Sequence, residues 1–99
     1  MLKISRHEAH DAVTLKIEGS VIGPMVSELE KSWLSLAESL GSKQLSVDLC
    51  GVTHMDARAT QLLADIYQKT RAQFVADSPM TRYYAEQARQ RNAITPKEN

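Results

Sequence analysis

The residues able to do chemistry are few and scattered. His7 and His10 stand close together early in the chain, and Cys50, His54 and Asp56 fall within one short stretch in its middle. Zinc is held by clustered His and Cys side chains at short, regular spacings. No cysteine or third clustered ligand accompanies His7 and His10, and the Cys50–His54–Asp56 spacing fits no zinc pattern, so no metal ligands are expected. A nucleophilic Cys50 would need an adjacent base and an electropositive setting. It sits instead at the end of an apolar strand pattern and reads as a small buried hydrophobe. Neither GxxxxGK[ST] nor GxGxxG occurs, and four glycines give the backbone little means to cradle a nucleotide. No catalytic residue and no cofactor are expected. The one enzyme reading left open is a cluster of His54, Asp56 and Cys50 that only folding could assemble.

Composition bounds the remaining functions. The chain has 99 residues, which implies one domain. Twelve basic side chains balance twelve acidic ones, arguing against a phosphate-driven nucleic-acid binder and against a polybasic membrane-surface protein. The balance is uneven along the chain: residues 1–57 carry five Lys/Arg and eight Asp/Glu, and residues 58–99 carry seven and four. An acidic half joined to a basic half is either a solvated surface or a polar contact surface. A single cysteine excludes a disulfide framework and fits a reducing compartment. No apolar run approaches the ~20 residues needed to cross a bilayer, and no signal peptide is visible. A cytoplasmic location without membrane insertion is therefore expected.

Hydrophobic spacing supplies the elements. Leu2 to Ser5 alternates as a short strand, with Arg6 to Asp11 turn-like after it. Val13, Leu15 and Ile17 mark one face of a second strand over Ala12 to Glu18, ended by Gly19. Pro24 opens a helix whose apolar stripe is Met25, Leu29, Trp33, Leu36 and Leu40, and Gly41 stops it. Leu45, Val47 and Leu49 define a strand over Gln44 to Cys50, and Gly51 to Asp56 reads as a connection. A helix from Ala57 turns Leu62, Leu63, Ile66 and Tyr67 inward. A short strand lies around Phe74 and Val75. Ser78-Pro79 then caps a last helix with Met80, Tyr84 and Ala88 inside. The order β-β-α-β-α-β-α predicts an α/β fold: a mixed, mainly parallel sheet of about four strands with three helices, the first strand antiparallel at an edge. Residues 1–91 are expected to form the domain and 92–99 a flexible tail. The edge strand leaves pairing with a second copy, a homodimer, open.

The most informative stretch is Val47-Asp48-Leu49-Cys50-Gly51-Val52-Thr53-His54-Met55-Asp56-Ala57-Arg58-Ala59, followed by a leucine-bearing helix. It resembles the central motif of STAS domains, the family of bacterial anti-sigma factor antagonists and of cytoplasmic modules of sulfate transporters. The family pattern is roughly apolar-Asp-Leu-x-x-Val-x-x-apolar-Asp-Ser-Ser-Gly, and Asp48, Leu49, Val52, Met55 and Asp56 fall on it. Val13 to Gly19 resembles the family's second strand, and the likeness runs over about residues 2–91. The resemblance implies a non-catalytic protein-interaction module. Its partner surface would be the segment bearing His54, Asp56, Ala57, Arg58, Thr60 and Gln61, with Asp56 also capping the helix. It implies as partner an anti-sigma-like kinase or, by likeness to accessory subunits of ABC lipid transporters, a transporter ATPase. A small-ligand module for nucleotides or lipids is a further alternative.

The departures from the pattern are specific. The residue phosphorylated in switching antagonists is here Ala57, which has no hydroxyl. Arg58 follows, Ala59 replaces the glycine, and Ile22 stands where the family has an Asp after the second strand. No phosphorylation is expected at Ala57, and the nearby hydroxyls of Thr53 and Thr60 are weak candidates only. The chain also reads as about one strand and one helix shorter than longer members.

Overall fold

The alternation of β-branched and leucine residues in the first half of the chain forms two paired strands before any helix begins. The computed structural model describes the backbone of residues 1–94 and the side chains of residues 1–90. Its elements are β1 (Leu2–Glu8), β2 (Ala12–Val21), α1 (Pro24–Leu40), β3 (Gln44–Met55), α2 (Ala57–Thr70), β4 (Gln73–Val75) and α3 (Pro79–Ile94). Of the segment expected as a tail, 92–94 close α3, and 95–99 lie outside the described residues.

The sheet order is β1-β2-β3-β4, with β1 antiparallel at one edge and the other pairings parallel. This is the mixed α/β sheet that the spacing predicts. The strands are laid down in chain order, so both parallel crossovers step the same way. With the usual right hand, they place α1 and α2 on one face. Burial agrees: Val13, Leu15, Ile17, Leu45, Val47 and Leu49 are sealed, whereas Thr14, Lys16, Glu18, Ser46, Asp48 and Cys50 between them are half-buried. The core closes with Leu29, Trp33 and Leu36 from α1 and Leu62, Leu63 and Ile66 from α2.

Several boundaries differ from expectation. β1 continues to Glu8, so His7 is a strand residue rather than part of a loop. β2 runs past Gly19 to Val21, and β3 runs through the expected connection to Met55. Two register irregularities, between Lys16 and Glu18 and between Gly19 and Ser20, let pairing resume as Gly19↔Val52, Ser20↔His54 and Val21↔Met55. Such bulges break the two-residue alternation: Val52 and Met55 are both buried, with Thr53 and His54 exposed between them. Gly19 is needed here, because its φ is +97° and the Met1 carbonyl oxygen occupies the place of a β-carbon. Ser20 N–H donates to that same oxygen at 2.9 Å.

In α1 the buried stripe begins with Val26 rather than Met25. In α3, Thr81, Ala85 and Ala88 are buried, and Met80 is exposed. Ser78 caps α3 as expected, its hydroxyl oxygen accepting from Thr81 N–H at 3.1 Å. Thr81 Oγ1 in turn accepts from Ser78 N–H at 3.1 Å. Thr81 is therefore drawn into the cap and turned inward, which rotates Met80 to solvent.

Candidate functional site

Asp56 sits between the end of β3 and the start of α2, in extended backbone. Its Oδ1 accepts from Ala59 N–H at 2.9 Å, the expected helix cap. Its Oδ2 accepts from Gly23 N–H, also at 2.9 Å. One carboxylate thus satisfies the first turn of α2 and pins the residue that precedes α1. The backbone repeats the connection, since Asp56 N–H donates to the Val21 carbonyl at 3.3 Å. The Gly23 and Ala59 amides hold the Asp56 carboxyl below its ordinary pKa. The Arg58 charge adds to this, while partial burial works against it.

Ala57 is the first residue of α2 and is exposed, as are Arg58 and Gln61. Arg58 and Gln61 line a groove of about 200 Å³ between α1 and α2, with Val26, Glu30, Leu62 and Asp65. Gln61 Nε2 donates to Asp65 Oδ1 at 3.2 Å. His54 is exposed at the end of β3, opposite Ser20. Thr60 is placed differently from these: it is only 7% exposed, and its hydroxyl donates to the Asp56 carbonyl at 3.2 Å. Thr53 is exposed and shares a hydrogen bond with Ser20, Oγ to Oγ1, at 3.2 Å.

Two participants have no signal in the sequence. Gly23 reaches Asp56 across 33 residues. Tyr84 of α3 accepts from Met55 N–H at 3.3 Å through its hydroxyl oxygen and braces the end of β3. Gly23-Pro24 marks a turn before a helix, but no spacing rule links it to Asp56.

Cys50 departs from the expectation of a buried hydrophobe. It lies half-buried on the open face of the sheet, because β3 alternation turns Leu49 inward and Cys50 outward. Its N–H donates to Asp48 Oδ1 at 2.9 Å. The Asp48 carboxylate, first through a side-chain hydrogen bond, then partial burial and the charges of Asp48 and Asp77, push the thiol up to about 11. Cys50 is thus held as the neutral thiol near pH 7, and Asp56 is engaged by Gly23 and Ala59. Among the described residues no group of three or more His, Cys, Asp or Glu side chains could hold a metal ion. Among them, too, no helix is long and apolar enough to cross a membrane.

The chain matches the family model of the STAS domain over residues 3–76. Its fold is similar to the crystal structure of an anti-sigma factor antagonist from Mycobacterium paratuberculosis, with a TM-score of 0.71 at 16% identity, covering 98% of this chain and 87% of that one. It is also similar to the anti-sigma factor antagonist SpoIIAA in its unphosphorylated form, with a TM-score of 0.64 at 10% identity, covering 85% and 82%. A crystal structure of Mglu shares the fold at a TM-score of 0.61 and 15% identity. That match covers 76% of this chain, which spans only 19% of that longer one. No curated protein matches the sequence.

Proposed function

Because the chain belongs to the STAS domain family, we propose that it is a non-catalytic, cytoplasmic protein-binding module of the anti-sigma factor antagonist kind, with residues 1–91 as its working domain. The contact surface is the start of α2 with the end of β3: His54, Ala57, Arg58 and Gln61 face outward there. Asp56 and Thr60 hold the turn in shape from beneath. The observation that carries this reading is Ala57, exposed at the first helical position where the family pattern has a phosphorylatable serine. A phosphate at a helix N-terminus is locally welcome, because unpaired N–H groups and the helix dipole favour negative charge. At an interface the same group adds about −2 charge and repels an acidic partner surface. With alanine in place, no phosphate can be added at position 57, and Arg58 stands beside it as a permanent cation. Partner binding is then constitutive or set by abundance rather than by modification at this position.

The partner is an anti-sigma-like kinase, with a transporter ATPase as the alternative. The test is affinity capture from the native cell, followed by mass spectrometric identification, with wild type and Arg58→Glu. Arg58 is exposed, so the reversal leaves the core intact. At least a tenfold loss of one partner is expected. Equal recovery of the same partner by both forms would place the interface elsewhere.

A further inference from the structure

A second groove lies away from this surface, between β1 and α1. It is an open depression of about 330 Å³ lined by Ile4, Arg6, Leu15, Lys31, Ser32 and Ser35. The register explains its mixed character. Ile4 pairs with Ile17, and Arg6 pairs with Leu15, so both side chains of β1 lie on the helix-facing side. An inward charge on an edge strand discourages further strand pairing, but Arg6 is also fixed in place. Its Nε donates to Glu8 Oε2 at 2.8 Å and its Nη2 to Ser39 Oγ at 2.7 Å. Glu8 is itself shared with Lys43 at 3.7 Å, so the cluster of Arg6, Lys31 and Lys43 retains positive charge. Among the described residues Lys31 makes no ion pair, and the hydroxyls of Ser32 and Ser35 have no partner.

We propose that this groove binds a small phosphomonoester bearing a short aliphatic stem. The Lys31 ammonium and two hydroxyls come from α1, and Arg6 adds positive charge and its Nη1 donors from β1. Separate donors of this kind suit the three terminal oxygens of a tetrahedral phosphate, whereas the Nε–Nη2 edge of Arg6 that would take a carboxylate bidentately is already engaged by Glu8 and Ser39. Half-buried Ile4, lying over the sealed Leu15, supplies the apolar contact for the stem. The groove is open to solvent on one side and is large enough to seat a phosphate head and several carbons.

The test is a titration of isotope-labelled protein followed by amide chemical shifts, with hexyl phosphate as the probe and inorganic phosphate and hexanol as its two halves. Saturable shifts from hexyl phosphate, centred on Ile4 to Arg6 and Lys31 to Ser35, are expected. Lys31→Glu should weaken binding at least tenfold, and the exposed charge reversal Lys69→Glu should leave it unchanged. Absence of saturable shifts, shifts centred elsewhere, or unchanged binding by Lys31→Glu overturns the site. Inorganic phosphate binding as tightly as hexyl phosphate overturns the apolar half of the proposal, and hexanol doing so overturns the anionic half.

Discussion

At the scale of single residues, Asp56 carries the most structure for its size. Its two carboxylate oxygens serve different segments, Ala59 in α2 and Gly23 before α1. Removing the side chain uncaps a helix, at about 1 kcal/mol, and leaves the Gly23 amide without its acceptor, at about 1 kcal/mol more. Asp56→Ala is therefore expected to lose about 2 kcal/mol in urea denaturation at pH 7. Asp56→Asn keeps one carbonyl oxygen for one of the two amides and should lose about half as much. The pH dependence follows from the depressed pKa of Asp56. A carboxyl whose folded pKa lies below its unfolded value contributes stability above the unfolded value and loses it as pH falls through the folded one. The difference between wild type and Asp56→Asn should then narrow as the pH drops below the ordinary carboxylate range. A gap that stays constant down to pH 2 would mean that the charge on Asp56 does not matter. Half of this role was legible in the sequence: an Asp before an apolar helix is a local capping signal. The bond to Gly23 was not, because it joins positions brought close only by the parallel pairing of β2 with β3.

Among the elements, the joint between β2 and β3 decides where the site lies. Both strands outrun their alternating patterns because bulges absorb the mismatch and keep Val21 beside Met55. Gly19 makes the first of these continuations. A β-carbon there meets the Met1 carbonyl and must also accept φ +97°. Gly19→Ala is expected to destabilise by about 2 kcal/mol or more, combining backbone strain with displacement of the N-terminal residue. Gly23 offers the comparison: its φ is +54°, but nothing lies within 4 Å of an added β-carbon. Gly23→Ala should cost about 1–3 kcal/mol from strain alone, because φ +54° with ψ −129° is a backbone region that side chains rarely enter, and Gly19→Ala should lose more. Chemical denaturation of the two variants side by side checks the order, and equal losses would remove the argument from the Met1 contact. The helices were read from sequence more accurately than the strands. The apolar stripes of α1 and α2 keep a helical period from end to end, so their full length shows, whereas β2 and β3 take up bulges that break the two-residue alternation. α3 was the exception, since its inner face is set by the Ser78–Thr81 cap and by packing of Ala85 and Ala88 rather than by large apolar residues.

For the molecule as a whole, all the parallel crossovers lie on one side, so the sheet presents one sealed face and one polar face. The proposed partner surface sits at the end of this two-layer body where β3 hands over to α2. Ala57→Glu tests that surface without attacking the fold. A negative charge in the first helical turn should leave stability unchanged or raise it by about 0.3–1 kcal/mol. Partner capture should fall at least tenfold, because the variant imposes the charge that Ala57 leaves out. Stability measured by urea denaturation and capture measured on the same preparation separate the two effects, and undiminished capture would sink the proposal. By itself the sequence determined the order of elements, the mixed parallel sheet, the cap at Asp56 and the missing hydroxyl at position 57, since each depends on local spacing or on a single residue's chemistry. Only the tertiary structure decided that Asp56 also binds Gly23, that Tyr84 braces Met55, and that Arg6 and Lys31 border one groove. Those relations join residues far apart along the chain, and their distances are fixed by strand register and helix packing rather than by local pattern.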